Sequence, residues 1–383
     1  MQSNDRLERI SASGVSIWLD DLSRDRLDTG ELAELVSTSH VVGVTTNPTI
    51  FAAALQDGDA YADQVGDLAA RGIGAEEAAI ALTSDDVRSA TAVLAPLYTA
   101  SGFQDGRVSI EVDPRLARDT EETIAQARRL WALVDRPNVY VKIPATEQGL
   151  PAITAAISEG ISVNVTLIFS LDRYRAVAQA YLDGLEKAQL AGLDLSRIAS
   201  VASVFLSRID AKIDPVLDEI GGDEAATLRG GAAIAGARLA YEAFEEIFSS
   251  PRWADLSSAG ARVQRPLWAS TGVKDPSYPD TRYVDELIAP HVVNTMPEKT
   301  LQAVADHARL PDGDGPVDTV HGTAVAAREH LDAVVRLGVP YERLLTELEE
   351  EGVEKFVASQ NELLGTVQSE LDKAASRTNG ATA

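Results

Sequence analysis

The chain of 383 residues has no cysteine. That removes disulfides and thiolate chemistry, and it fits a reducing, cytoplasmic setting. Positive charge is also short. The 34 Lys and Arg face 59 Asp and Glu, a net charge of -25, so nucleic acid and anionic membranes would meet repulsion instead of a basic footprint. A phosphate-bearing substrate must then be held by a few locally placed cations. No apolar run reaches the roughly 20 residues of a membrane span, and Met1 to Ile10 is polar, without the apolar segment of a leader. His40, His291, His307, His321 and His330 show no metal-binding spacing such as HExxH, so solvated or core roles are expected for each and no metal site is predicted. No GxGxxG follows an early strand, no signature recurs at a period of 20 to 50 residues, and no tract has low complexity.

What is present is an alternation. Short β-rich runs occur at Val15 to Asp20, Val41 to Thr45, Arg107 to Val112, Val139 to Ile143, Ile161 to Thr166, Ile198 to Ser203, Pro266 to Ser270 and Val292 to Thr295. Helix-patterned stretches lie between them. Thr120 to Val134 places Ile124, Ala127, Leu130, Trp131 and Val134 on one face, and Leu171 to Ala191 follows the fifth run. Strand and helix in alternation imply parallel pairing, and eight units predict a closed (β/α)8 barrel; the competing architecture is an open doubly wound sheet. A hydrophobic share of 45% supplies a sizeable core for a chain of this length.

Asn47-Pro48 reads as an N-cap followed by proline at the first helical position, and Ser84 as the cap of a helix running to about Pro96. Residues 57–104 and the segment after Leu310 exceed the minimal unit. The second opens with the linker-like Pro311-Asp312-Gly313-Asp314-Gly315-Pro316 and continues with helices to about Leu371, an extension expected to pack on the barrel as part of one domain. Within it, Leu344, Leu345, Leu348, Val353, Phe356 and Val357 are expected to pack into the core, with covering the active-site mouth or dimerisation as the alternative. Residues 374–383, small and polar, are expected to be disordered. Monomer and homodimer both stay open.

Lysine is scarce, limited to Lys142, Lys187, Lys212, Lys274, Lys299, Lys355 and Lys373, and Lys142 sits inside the apolar run Val139-Tyr140-Val141-Lys142-Ile143-Pro144. One reading is a strand-end lysine that reaches back to water. The other is a buried amine that attacks a carbonyl. In such a barrel the active site gathers at the C-terminal ends of the strands. Read in turn, those ends supply Asp20, Asn47, Glu111, Lys142, Asn164 with Thr166, Ser203 and Ser270. An amine, two carboxylates, two carboxamides and several hydroxyls are what Schiff-base chemistry needs. The amine replaces a ketone oxygen, the protonated imine withdraws electrons and a neighbouring C–C bond breaks. Burial would have to bring the lysine well below its usual pKa of about 10.4 against nearby carboxylates. Asp20 and Glu111 are suited to the proton transfers.

GVTTNPTIF (Gly43 to Phe51), VSIEVDPRLARDT (Val108 to Thr120), VYVKIPATEQG (Val139 to Gly149), NVTLIFS (Asn164 to Ser170), ASVFLSRID (Ala202 to Asp210) and LWASTGVKDP (Leu267 to Pro276) together resemble the motifs of transaldolases. The likeness covers most of the barrel and is nearest to the longer bacterial members. It implies a non-oxidative pentose phosphate pathway enzyme moving a dihydroxyacetone unit from sedoheptulose 7-phosphate or fructose 6-phosphate to glyceraldehyde 3-phosphate or erythrose 4-phosphate, without a cofactor. Lys142 would form the imine at C2. Asp20 would take the C4 hydroxyl proton, and Glu111, with a water held by Thr166, would serve imine formation and hydrolysis. Asn47, Asn164 and Ser203 would bind hydroxyls of the three-carbon unit, and Arg208 and Lys274 would clamp the phosphate near Ser270. Shorter transaldolases carry a second arginine after the seventh strand, where this chain offers Lys274 at slightly different spacing. The rivals are a fructose 6-phosphate aldolase, which resembles this pattern but has tyrosine where this chain has Phe205, and a catalytically dead sugar-phosphate binding protein, which would have lost Lys142, Asp20 or Glu111.

Overall fold

Eight parallel strands close on themselves in chain order: β1 Ser16–Leu19, β2 Val41–Val44, β3 Arg107–Glu111, β4 Val139–Pro144, β5 Val163–Ile168, β6 Ser200–Phe205, β7 Gln264–Ala269 and β8 Val293–Met296. The computed structural model describes residues 5–56, 59–313 and 315–381. β8 returns to β1 through pairs such as Trp18 with Thr295, so no strand edge is left open. The (β/α)8 barrel expected from the alternation is the observed fold, and the open sheet is excluded by that closure.

The strands form because their residues are nearly all buried on both faces, which explains continuous apolar runs in place of alternation. Trp18 and Trp268 are fully buried. Gly43 in β2 makes room for the first, since a Cβ there would fall 2.5 Å from the Trp18 ring. β5 and β6 run further than the sequence suggests, to Ile168 and Phe205. Asn164, Thr166 and Ser203 therefore lie within their strands, not at the ends. Residues two apart share a face, which is how Asn164 with Thr166, and Ser203 with Phe205, come to face one cleft. The β5–β6 register shifts between Val165 and Ile168, and Leu167 there takes a positive φ of 60°.

Helices Thr120–Val134 and Leu171–Leu190 lie where the periodicity places them. Asn47 caps the helix Pro48–Gln56 through its Oδ1, which accepts from the Ile50 N–H at 3.1 Å. Ser84 is not a cap. It sits inside the 26-residue helix Ala75–Ala100, which starts after Gly74 and continues past Pro96. Ser84 belongs to the buried stripe of that helix with Leu82, Val87 and Ala90, and burial there outweighs its capping preference.

After the loop around Pro311, helix Ala324–Arg336 packs on helix Ala232–Ile247, and a helix of 41 residues, Tyr341–Ala381, packs on four barrel-side helices and on β5. Leu344, Leu345, Leu348, Val353, Phe356, Leu363, Val367 and Leu371 are buried along it and join the barrel's own core cluster. They recur mostly at three-, four- or seven-residue intervals and so form a broad apolar face of the helix. The helix does not end near Leu371. Its backbone continues through Ala374 and Ala375 to Ala381; residues 382 and 383, the end of the tail expected to be disordered, lie outside the described part. Among the described residues no helix is long and apolar enough to cross a membrane.

Candidate active site

Lys142 faces the barrel interior between Glu111 of β3 and Asn164 of β5, its register partners on either side. It is 5% exposed. Its Nζ donates to the Thr46 carbonyl at 2.6 Å and lies 3.3 Å from Glu111 Oε2. Thr46, just beyond β2, is pinned in turn by its hydroxyl, which donates to the Ser109 carbonyl at 2.8 Å. The lysine thus does not reach out to bulk water; it is held by two acceptors inside the barrel.

Two carboxyls flank it. Burial pushes the Glu111 carboxyl above the ordinary range, opposed by the Lys142 charge and hydrogen bond. Asp20 is raised for the same reason, opposed by Lys142 and by a Thr45 hydrogen bond and reinforced by Asp21. Asn164 is fixed on both sides. Its Oδ1 accepts from the Ser203 hydroxyl at 2.7 Å and its Nδ2 donates to Ser109 Oγ at 3.2 Å. Thr166 Oγ1 is buried without a hydrogen-bond partner. A buried hydroxyl left so is costly unless water or ligand satisfies it.

Arg208 stands in the first turn of helix Ser207–Ile220. One guanidinium nitrogen, Nη1, is buried and unpaired, and the group lies 5.3 Å from the Phe205 ring and 5.7 Å from the Phe356 ring. Burial lowers its pKa against the raising effect of Glu351. Ser270 follows β7 with a φ of 54° and places its Oγ 2.9 Å from that of Ser207. Lys274 is exposed at the rim of the same cleft.

A cleft of about 210 Å³ brings Asp20, Asn47, Lys142, Asn164, Thr166, Ser203, Phe205, Arg208, Ser270 and Lys274 onto one surface. Glu111 is the exception. It opens with Thr46 and Asn47 onto a neighbouring cleft of about 150 Å³, with its carboxylate reaching Lys142 between the two. Among the lining residues that escaped the sequence reading of the site are Thr45, Thr295 and Phe356. The two threonines end strands that were recognised, so their position was the available signal. Phe356 arrives on the C-terminal helix, with Lys142 Nζ 6.0 Å from its ring. That helix is held by Lys212 to Glu351 at 2.5 Å and Arg173 to Glu349 at 3.2 Å. The stretch is thus both core packing and one wall of the cleft. Among the described residues no group of His, Asp or Glu is gathered to hold a metal ion.

Residues 17–367 match the family model described as transaldolase/fructose-6-phosphate aldolase. The transaldolase of Thermobifida fusca is 61% identical over 95% of this chain and 98% of that protein. The transaldolase of Mycolicibacterium smegmatis is 59% identical over 98% of this chain and all of its own length, and transaldolase 1 of Streptomyces avermitilis is 59% identical over 96% of each. With a family match across the whole barrel and relatives of such identity over nearly full length, the chain belongs to the transaldolase/fructose-6-phosphate aldolase family.

Proposed function

We infer that this enzyme is a transaldolase that moves a dihydroxyacetone unit from sedoheptulose 7-phosphate or fructose 6-phosphate to glyceraldehyde 3-phosphate or erythrose 4-phosphate, through an imine on Lys142. The observation that carries the reading is the placement of one buried amine between two carboxyls whose burial favours their protonated forms. Proton transfer over 3.3 Å from Lys142 to Glu111 frees the amine. The amine adds to the ketose C2, and loss of water from the resulting carbinolamine needs a proton, which Glu111 returns. Asp20 takes the C4 hydroxyl proton as the C3–C4 bond breaks, with its electrons flowing into the protonated imine. The aldose phosphate leaves and an enamine remains on Lys142. Addition to the acceptor aldehyde reverses these steps.

Thr166, with its unsatisfied hydroxyl, is suited to hold the water exchanged when the imine forms and hydrolyses. Asn164 and Ser203 present an already oriented pair to the three-carbon unit, and Asn47 stands beside them. Arg208 offers an unpaired guanidinium nitrogen to the phosphate, as guanidinium geometry suits, with Ser270 near it and Lys274 adding charge from the rim. The reaction is cytoplasmic in this reading, and the chain works as one barrel domain bearing its helical extension.

Phe205 favours the transferase over the aldolase. Its ring packs between Phe169 and Phe356, and this apolar wall offers no hydroxyl to aim water at the enamine. Glyceraldehyde 3-phosphate release from fructose 6-phosphate, followed with and without erythrose 4-phosphate, tests the choice. Sustained release only with the acceptor is expected; equal release without it means an aldolase, and none in either means a binding protein.

A further inference from the structure

Three neighbouring strand ends meet at Asp20. The Thr45 N–H donates to the Leu19 carbonyl at 2.8 Å and the Asp20 N–H to the Met296 carbonyl at 2.9 Å, so the ends of β2, β1 and β8 are locked at one level of the barrel. Their side chains form a chain of two short hydrogen bonds. Thr45 Oγ1 donates to Asp20 Oδ1 at 2.6 Å, and Thr45 and Thr295 hydroxyls lie 2.6 Å apart. Both threonines are 3% exposed, so bulk water does not compete for these bonds.

A hydroxyl has one proton to give. With the Thr45 proton committed to Asp20, the second contact is a hydrogen bond only if Thr295 donates to Thr45. Both hydroxyls then point toward the carboxylate, and each bond polarises the next. Asp20 Oδ1 is thereby engaged on the barrel side, leaving Oδ2 for the cleft.

We propose that Thr45, backed by Thr295, is a positioning residue for C–C cleavage: its hydroxyl fixes the Asp20 carboxylate so that the second oxygen faces the C4 hydroxyl of the bound ketose. This rests on Asp20 being the base of that step. The backbone bonds already hold the three strands together, so the side-chain pair is not needed for their alignment. Lys142, Asp21 and Glu111 are the other charges that act on or with Asp20, and all three stay in place when only the Thr45 hydroxyl is removed. Loss of that donor leaves the desolvation of Asp20 less opposed, which moves its titration further upward.

The test uses Thr45→Val, Thr45→Ser, Thr295→Val and Asp20→Asn in the full-length enzyme with fructose 6-phosphate. Imine is scored by borohydride trapping and cleavage by single-turnover release of glyceraldehyde 3-phosphate. Thr45→Val is expected to trap as much imine as the parent but to cleave about 10- to 100-fold more slowly, the range for one hydrogen bond to a charged group, with the acidic limb of its pH profile at higher pH. Thr45→Ser should recover most of the rate, and Thr295→Val should move both readouts the same way by less. A parental cleavage rate and pH limb in Thr45→Val, or a serine variant as slow as valine, overturns the proposal. If Thr45→Val does not fold, an unmoved acidic limb in Thr295→Val overturns it as well. Asp20→Asn separates the two levels of the argument, because undiminished cleavage there refutes the assignment of Asp20 itself.

Discussion

Replacing Arg208 with methionine should separate stability from activity. In the free enzyme this guanidinium gains little for its burial: one nitrogen has no hydrogen-bond partner and its pKa is lowered by desolvation. Methionine keeps much of the stem that packs against Phe205 and Phe356. The substitution removes an unsatisfied buried group, a relief of about 1–3 kcal/mol. It also removes two ring contacts at 5.3 and 5.7 Å, each worth about 0.5–2 kcal/mol for a partly buried group. The terms nearly cancel, so Arg208→Met should unfold within about 1 kcal/mol of the parent, or slightly above it, a shift of a few degrees at most in a domain of this size. Catalysis should suffer far more. Two charge-assisted hydrogen bonds to phosphate, at about 1.5–3 kcal/mol each, predict a loss of kcat/KM between about 10²- and 10⁴-fold, much of it in KM for the donor. Thermal melts with and without inorganic phosphate and steady-state kinetics with fructose 6-phosphate read both sides. A large destabilisation with an unchanged KM would refute the reasoning, since it would make Arg208 a structural residue.

Lys142→Ala should abolish turnover while leaving the melting transition in place, and residual activity above background would count against the imine. Asp20→Asn should still trap an imine and fail to release aldehyde; it should also melt higher than the parent near pH 8. The sign follows from its raised carboxyl: burial favours the protonated form, so the ionised form costs stability, and that cost disappears as pH falls through the raised pKa toward the ordinary value. The melting difference should therefore shrink on acidification, and a constant difference across pH would show that Asp20 ionisation is not its origin. Phe356→Leu, which opens the cleft wall 6.0 Å from Lys142 Nζ while keeping apolar bulk, should raise acceptor-independent aldehyde release relative to the acceptor-dependent rate. An unchanged ratio would mean that Phe356 does not shield the enamine.

The barrel was legible because each strand is a short apolar run flanked by a helical period, and parallel strands buried on both faces leave that trace. The candidate catalytic set was legible because the fold puts chemistry at one end of those runs, so Asp20, Glu111 and Lys142 stand out as charges where apolar residues are expected. Other features depend on partners distant in the chain. Whether Ser84 caps a helix or lines its buried face depends on what packs against that face. The short bond between Thr45 and Asp20 requires the closure of β1 onto β2 and β8, and a threonine at a strand end carries no such information by itself. Phe356 reaches Lys142 only because the helix Tyr341–Ala381 folds back across the mouth of the barrel. The extents of β5 and β6 were short in the sequence reading because polar Asn164, Thr166 and Ser203 look like ends when they are interior residues of a polar layer.

The central claim is the imine on Lys142. Incubation of the enzyme with fructose 6-phosphate, borohydride reduction and peptide mass analysis tests it most directly. The account predicts a reduced three-carbon adduct on Lys142 alone, absent after Lys142→Ala; an adduct on another lysine, or none while the enzyme turns over, would contradict it.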